Sequence, residues 1–239
     1  MLQFENSRED EKTASNQLAI QFLPPFRLPG KLLLLFSPIL LNLHLKHKLM
    51  SNKRSTILVF ILLILACALY RVWENRPFGF APQIAMALFA GSVIKDKRFS
   101  FLVPLLSMLI SDVIYQVLYT QGLTQIKGFH NAIWANYLLF TLITVIGFFI
   151  NKKNIGSIII GSLAGAVFFF IFSNFLDWLG GGLDINNQPY PKTFQGLMNC
   201  FAAGLPFFRG SVWATLVFNS IFFGSHYLYS RYILKPQAA

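Results

Sequence analysis

The feature that most constrains this chain is a series of long apolar runs with almost no charge inside them. The run from Ile155 to Trp178 carries a single ionisable residue, Asp177, and holds Phe168-Phe169-Phe170 in sequence. A helix needs about 20 mostly apolar residues to cross the hydrocarbon of a bilayer. Six segments approach that description: 55–72, 80–95, 99–119, 132–150, 155–178 and 209–231. The second is short, which predicts a tilted or partly re-entrant helix. The expected fold class is therefore all-α, a polytopic membrane helical bundle of about six transmembrane helices.

Composition agrees. Charged residues are 12% of the chain and hydrophobic residues 55%, against about a quarter charged in an ordinary soluble domain. The 26 phenylalanines exceed what a core of this size hides from water, whereas lipid solvates them. The formal charge of +11 does not indicate nucleic acid, because the basic residues sit in the turns between apolar runs. In that position they set topology and meet anionic headgroups, so the lipid bilayer is the expected partner. Cys67 and Cys200 each lie in apolar sequence and read as small buried hydrophobes. No His/Cys/Asp/Glu spacing suits a metal, and nothing points to a cofactor.

Residues 1–49 differ from the rest. Glu5, Glu9, Asp10 and Glu11 crowd a polar start, and Pro24-Pro25 and Pro29-Gly30 break helices. The apolar run 31–45 is only about 15 residues long and contains Pro38. No signal-peptide cleavage site follows it. Met50-Ser51-Asn52-Lys53-Arg54 then opens a clean apolar helix. The expectation is a poorly ordered or mis-started extension at 1–49 and a transmembrane domain at 50–239.

Basic residues cluster on one side of the six runs: Lys53, Arg54, Lys95, Lys97, Arg98, Lys152, Lys153, Arg231 and Lys235. The other side holds fewer, on longer loops: Arg71, Arg76, Lys127, Lys192 and Arg209. The positive-inside rule places both termini in the cytoplasm. The cytoplasmic turns at 95–98 and 151–154 are short, and the outer connections at 74–79, 120–131 and 180–206 are long. Long loops on a rigid scaffold are where binding residues gather.

Asp112 is the clearest ionisable residue within a span. At 1.5 Å per residue it lies roughly 10 Å below the outer end of its helix. Gln116 and Tyr119 share its face, and Ser111 and Tyr115 flank it. Two readings stand: a ligand or cation site, or a helix-packing carboxylate paired with Arg71, Arg76 or an amide. Asn174 and Asp177 are i, i+3 neighbours at the same level, either in a site or at a wetted helix end. Trp178 fits an interfacial aromatic belt. Asn219 and His226 share a face of the last span, and His226 reads as an interfacial histidine, not a proton carrier. Ala81/Ala85, Ala87/Gly91 and Gly156, Gly161 and Gly165 suit close helix packing. In the last outer connection, Thr193 is placed to cap a short helix bearing Phe194, Leu197, Met198 and Phe201, with Pro206 as its end. That helix reads as a roof over a pocket or as a packed connector.

Several stretches resemble a bacterial family of integral membrane proteins known only as a domain of unknown function. They are Phe80-Ala81-Pro82 with Ala85 and Ala87 to Gly91, Pro104-Leu105 with Met108 and Ser111-Asp112, Asn174-Phe175 with Trp178, and Tyr190 to Thr193 with Gly196-Leu197, Cys200, Ala203 and Pro206 to Arg209. That family is described as similar to the substrate-binding S components of energy-coupling factor (ECF) transporters. The resemblance implies a six-helix bundle with a small-molecule pocket near the outer face. It would put Asp112, Gln116, Asn174, Asp177 and Asn199 in the pocket lining, with Arg71, Arg76 and Trp73 covering it. It also implies a coupling subunit and ATPases as partners. S components commonly dock through an alanine-x-x-x-alanine pattern on the first helix. Here Ala66 is followed by Ala68 and, four residues on, by Tyr70.

The expected function is small-molecule binding and uptake at the bacterial inner membrane. No phosphate-binding G-x-x-x-x-G-K-[ST] loop is present, so ATP hydrolysis would belong to a partner. A structural or assembly role is the alternative. An intramembrane enzyme is disfavoured, since H-E-x-x-H, G-x-S-x-G and catalytically spaced ionisable pairs are missing from the sequence.

Overall fold

The computed structural model describes residues 57–130 and 133–232. The expectation for 1–49 lies outside them. The described residues form six helices: α1 Ile57–Val72, α2 Gln83–Val93, α3 Lys97–Thr120, α4 Ile133–Gly147, α5 Ile155–Leu179 and α6 Phe194–Tyr232. Their only extended pairing is an isolated bridge between Leu183 and Pro189. Three helices, α3, α5 and α6, are long and apolar enough to cross a membrane, consistent with a membrane protein. The other three are shorter apolar helices.

The shortest helix is at the centre. Every residue of α2 from Gln83 to Gly91 is buried, which is the pattern of a helix apolar all round and enclosed by others. It packs against α3, α4, α5 and α6. Gln83 Nε2 also donates to the Cys67 carbonyl of α1 at 3.3 Å. Around it the other helices close a ring. α3 packs on α4, α4 on α5 and α5 on α6. Tyr70 of α1 meets Phe218 of α6 edge-on, and Arg71 of α1 pairs with Asp112 of α3.

Small side chains make this enclosure compact. Gly91 of α2 faces Gly147 of α4 so closely that a Cβ on either would strike the other helix's backbone. Gly165 of α5 receives Leu88 and Ile84 of α2. Gly91 and Gly165 thus act as close-packing residues, whereas Gly156 is exposed at the start of α5.

Polarity is inverted relative to a soluble domain. Buried positions include Gln83, Ser100, Ser107, Ser111, Asp112, Thr144, Ser162, Thr215 and Asn219. Exposed positions include Leu58, Leu62, Phe149, Ile160, Trp213 and Ile221. A surface so apolar on every helix of the ring suits lipid as its solvent.

The last helix corrects one expectation. The sequence suggests a short helix ending at Pro206 and a separate span from 209. Instead α6 is continuous from Phe194 through Pro206. Proline removes one backbone hydrogen bond and strains the preceding turn, yet packing holds the helix on both sides of it. Phe201 and Phe208 both lie against Phe170 of α5, and Phe207 against Phe78. Pro104 is likewise accommodated within α3. Two other expected spans are shorter than 80–95 and 132–150, ending as the α2 and α4 bounds show.

Candidate functional site

α1 ends at Val72, leaving its last carbonyls without intrahelical partners. The Arg71 carbonyl is taken by the Tyr115 hydroxyl at 2.8 Å and by Arg76 Nε at 2.8 Å. The Arg71 side chain turns inward to α3. Its Nη1 donates to Asp112 Oδ1 at 2.5 Å, to Ser111 Oγ and, more weakly, to the Met108 carbonyl. The guanidinium also lies 5.7 Å from the Tyr115 ring centre. A cation in the last turn of a helix is favoured by the helix dipole, so α1 presents Arg71 where a positive group costs least.

Asp112 completes the cluster from α3. Its other oxygen, Oδ2, accepts from the Tyr137 hydroxyl of α4 at 2.9 Å. Three helices thus converge on one carboxylate. The Asp112 side chain is 3% exposed and that of Arg71 is 20% exposed. The carboxylate is therefore enclosed by its partners, and the arginine is the more exposed member of the pair. No described residue engages Arg71 Nε or Nη2 in a hydrogen bond.

The loop after α3 folds back over this cluster. Gln116 Oε1 accepts from the Phe129 N–H at 3.1 Å. Gly128 is buried against the Asp112 carbonyl and the Gln116 backbone, where a Cβ would not fit. Glycine at 128 is what permits that approach.

The remaining expected site residues fall elsewhere. Arg76 joins through the Arg71 carbonyl. Arg71 belongs to the last turn of α1 and enters the interior, so it is not a loop residue covering a site from outside. Trp73 is half exposed and sits edge-on to Tyr70. Asn174 and Asp177 belong to a second cluster between α5 and α6. Asn174 Nδ2 bonds the Phe170 carbonyl of its own helix at 2.7 Å, and its amide fills the space beside Gly204. Cys200 Sγ donates to the Asn174 carbonyl at 3.4 Å and approaches Asp177 Oδ2 at 3.9 Å. Asn199 is exposed and accepts from Gln195 at 3.0 Å, on the turn before it in the same helix. The expected lining thus divides into two places.

The second cluster explains the Tyr190 to Thr193 stretch. Trp178 Nε1 donates to the Pro191 carbonyl at 2.8 Å. Lys192 Nζ reaches the Trp178 and Leu179 carbonyls at the end of α5, the latter at 2.9 Å. Thr193 Oγ1 accepts from the Gly196 N–H at 3.1 Å, the expected cap on α6. Three successive residues, Pro191 to Thr193, therefore finish one helix and start the next. Before them, Asp184 organises the loop by accepting from the N–H groups of Gln188 at 2.9 Å and Asn186 at 2.8 Å. Those bonds, Gln188's above all, hold its carboxyl below the ordinary value. Burial pushes the Tyr190 hydroxyl up.

Tyr137 and Gly128 are the members of the first cluster that sequence reasoning misses. Tyr137 is a lone phenol in the mostly apolar α4, and its hydroxyl is the only signal it offers. Among the described residues no group of three His, Cys, Asp or Glu side chains gathers to hold a metal ion. Elsewhere, Asn219 Nδ2 bonds Ser162 Oγ at 2.7 Å across α5 and α6, and His226 packs on Phe89.

No curated protein and no solved structure matches the chain. A family profile described as "Family of unknown function (DUF6580)" matches residues 51–238. That match covers every described helix and both polar clusters, and the chain belongs to this family of unknown function.

Proposed function

We propose that the protein is a six-span subunit of the bacterial inner membrane that binds a small molecule from the outer side for uptake, in the manner of an ECF transporter S component. Both termini are cytoplasmic in this reading, and the loops at 73–82, 121–130 and 180–193 face outward. α1 and α4 cross as shorter helices beside α3, α5 and α6, and α2, at 11 residues too short to cross alone, completes its passage with its flanking segments. The alanine pattern that S components use for docking is missing from α1, so a coupling subunit and ATPases would be engaged through another surface.

The observation that carries the reading is the Arg71–Asp112 pair, with its carboxylate sealed and its arginine side chain partly exposed, while the 121–130 loop folds onto the Asp112 and Gln116 backbone. Asp112 and Tyr137 fix the guanidinium in place. Arg71 is then the group a ligand meets, and Asp112 is the residue that holds it. Charged groups in a membrane interior are costly, and binding is one function that repays the cost.

One observation favours a structural or assembly role instead. Both Asp112 oxygens are satisfied within the chain, as expected of a carboxylate that only ties three helices together.

Gentle purification followed by mass spectrometry of co-purifying small molecules separates the two. Under the binding reading a compound is retained and raises the melting temperature of the wild type. Arg71→Lys keeps the fold and loses that gain. If nothing is retained and no small molecule stabilises the protein, the structural role stands.

A further inference from the structure

At the end opposite the Arg71–Asp112 cluster, α4 and α5 diverge around their connecting turn. A groove of about 490 Å³ opens there, lined by Ile146, Phe149, Ile150, Ile160 and Ala164 among others. The groove exists because the first turns of α5 carry little bulk. Gly156 has no side chain, and Gly161 lets the Ile150 side chain lie directly on the helix. Its flanks face outward: Phe149 is 82% exposed and Ile160 is 69% exposed.

The turn at its mouth is basic. Lys152 and Lys153 are exposed, and Lys97 lies 3.6 Å from the centre of the Phe148 ring. Lys95 and Arg98 belong to the neighbouring turn. Asp96 is the sole acid among the described residues at this end, and it caps α3 through the Arg98 N–H. With 25 residues, α5 is about 37 Å long, more than the ~30 Å of bilayer hydrocarbon. Its first turn therefore stands at headgroup level whichever side of the membrane it occupies.

We propose that this groove seats one anionic phospholipid, an acyl chain lying against Ile146, Phe149, Ile160 and Ala164 and the phosphate at Lys152 and Lys153. An apolar trough ending in an uncompensated basic turn matches that molecule in both its halves. A water-filled trough would leave Phe149 and Ile160 wetted, and a neutral lipid would leave the lysines without counter-charge. The site is independent of the outer polar cluster and stands or falls separately from it.

The test uses the full chain in mild detergent, with native mass spectrometry after addition of dioleoyl phosphatidylglycerol or dioleoyl phosphatidylcholine. Phosphatidylglycerol is expected to stay bound where phosphatidylcholine does not. Lys152→Ser with Lys153→Ser should weaken retention on the order of 30-fold, at about fivefold per lysine near a lipid surface. Ala164→Trp, filling the groove from an exposed position, should weaken it as well. Lys127→Ser, the same charge lost at the other end, should leave it unchanged. A photoreactive benzoylphenylalanine in place of Phe149, which lines the groove and is exposed, reads the occupant directly and does not depend on the tryptophan variant folding. A crosslink to lipid supports the seat. A crosslink to another part of this chain or to a second copy overturns it, as does equal retention of the two lipids. Loss with the lysine pair but not with Ala164→Trp would reduce the effect to surface charge and also overturn the seat.

Discussion

Asp112 was recognisable from its place alone, a carboxylate deep in an apolar helix. Pairing with Arg71 was one of the two readings open to it. The third partner was not legible, because Tyr137 lies 25 residues away and a phenol in an apolar helix carries no periodic mark. The pair makes a sharp prediction. Removing one member of a buried ion pair strands the other, at a cost of about 3–5 kcal/mol. Asp112→Leu alone should therefore lower the melting temperature in detergent severely, and Arg71→Met with Asp112→Leu should recover much of the loss. If the double variant is as damaged as the sum of the singles, the two side chains are not coupled. A second prediction concerns Asp184. Its folded carboxyl is held below the ordinary 3.8, chiefly by the Gln188 N–H. A depressed carboxyl contributes order that is complete above the ordinary value and lost as pH falls through the lower, folded one. The 183–189 loop should resist protease at pH 5 and begin to open only as pH falls below 3.8 toward the lower folded value. Asp184→Asn should flatten that dependence.

At the scale of elements, four of the helices lie close to where hydropathy places them, and the cap at Thr193 was readable from its residue type. Thr193→Ala should cost about 1 kcal/mol, and Thr193→Asp should not. Comparison of thermal melts decides it. Two features were hidden. Pro206 has the local signature of a helix end, yet aromatic contacts on both sides carry α6 through it, and local sequence does not encode a neighbour's rings. The length of α2 is hidden for a similar reason. Its flanks, Phe80 to Pro82 and Ile94, look like more apolar helix, but they belong to the connections that deliver a short central rod. The tight α2–α4 approach at Gly91 and Gly147 lets that rod sit inside the ring. Gly147→Val would push a side chain into the Leu88 backbone, which has no rotamer to yield. Overpacking of this kind costs about 1–3 kcal/mol or more, and the variant should melt well below Ala164→Ser, a change at an exposed site on α5.

For the whole molecule, the physical question is which ends of the ring face which side of the bilayer. Every basic turn with short connections lies at one end of the helices, and the long, structured loops lie at the other. That segregation is a charge pattern, which is why it can be read from sequence, whereas the central position of α2 is a packing result and cannot. The pattern yields a topology that the protein can be asked to display. Its own Cys67 and Cys200 are both buried, which shields them from an aqueous thiol reagent, so single cysteines can be introduced into the native chain. Ile185 is 92% exposed at the tip of the 180–193 loop, and Lys153 is exposed in the α4–α5 turn. With a membrane-impermeant maleimide on intact cells, Ile185→Cys should label and Lys153→Cys should label only after the membrane is opened. The two positions lie at opposite ends of α5, so they cannot share a side if that helix crosses the bilayer. Labelling of Lys153→Cys from outside would invert the bundle, turn Arg71 and its roof toward the cytoplasm, and leave uptake from the outer side without an entrance.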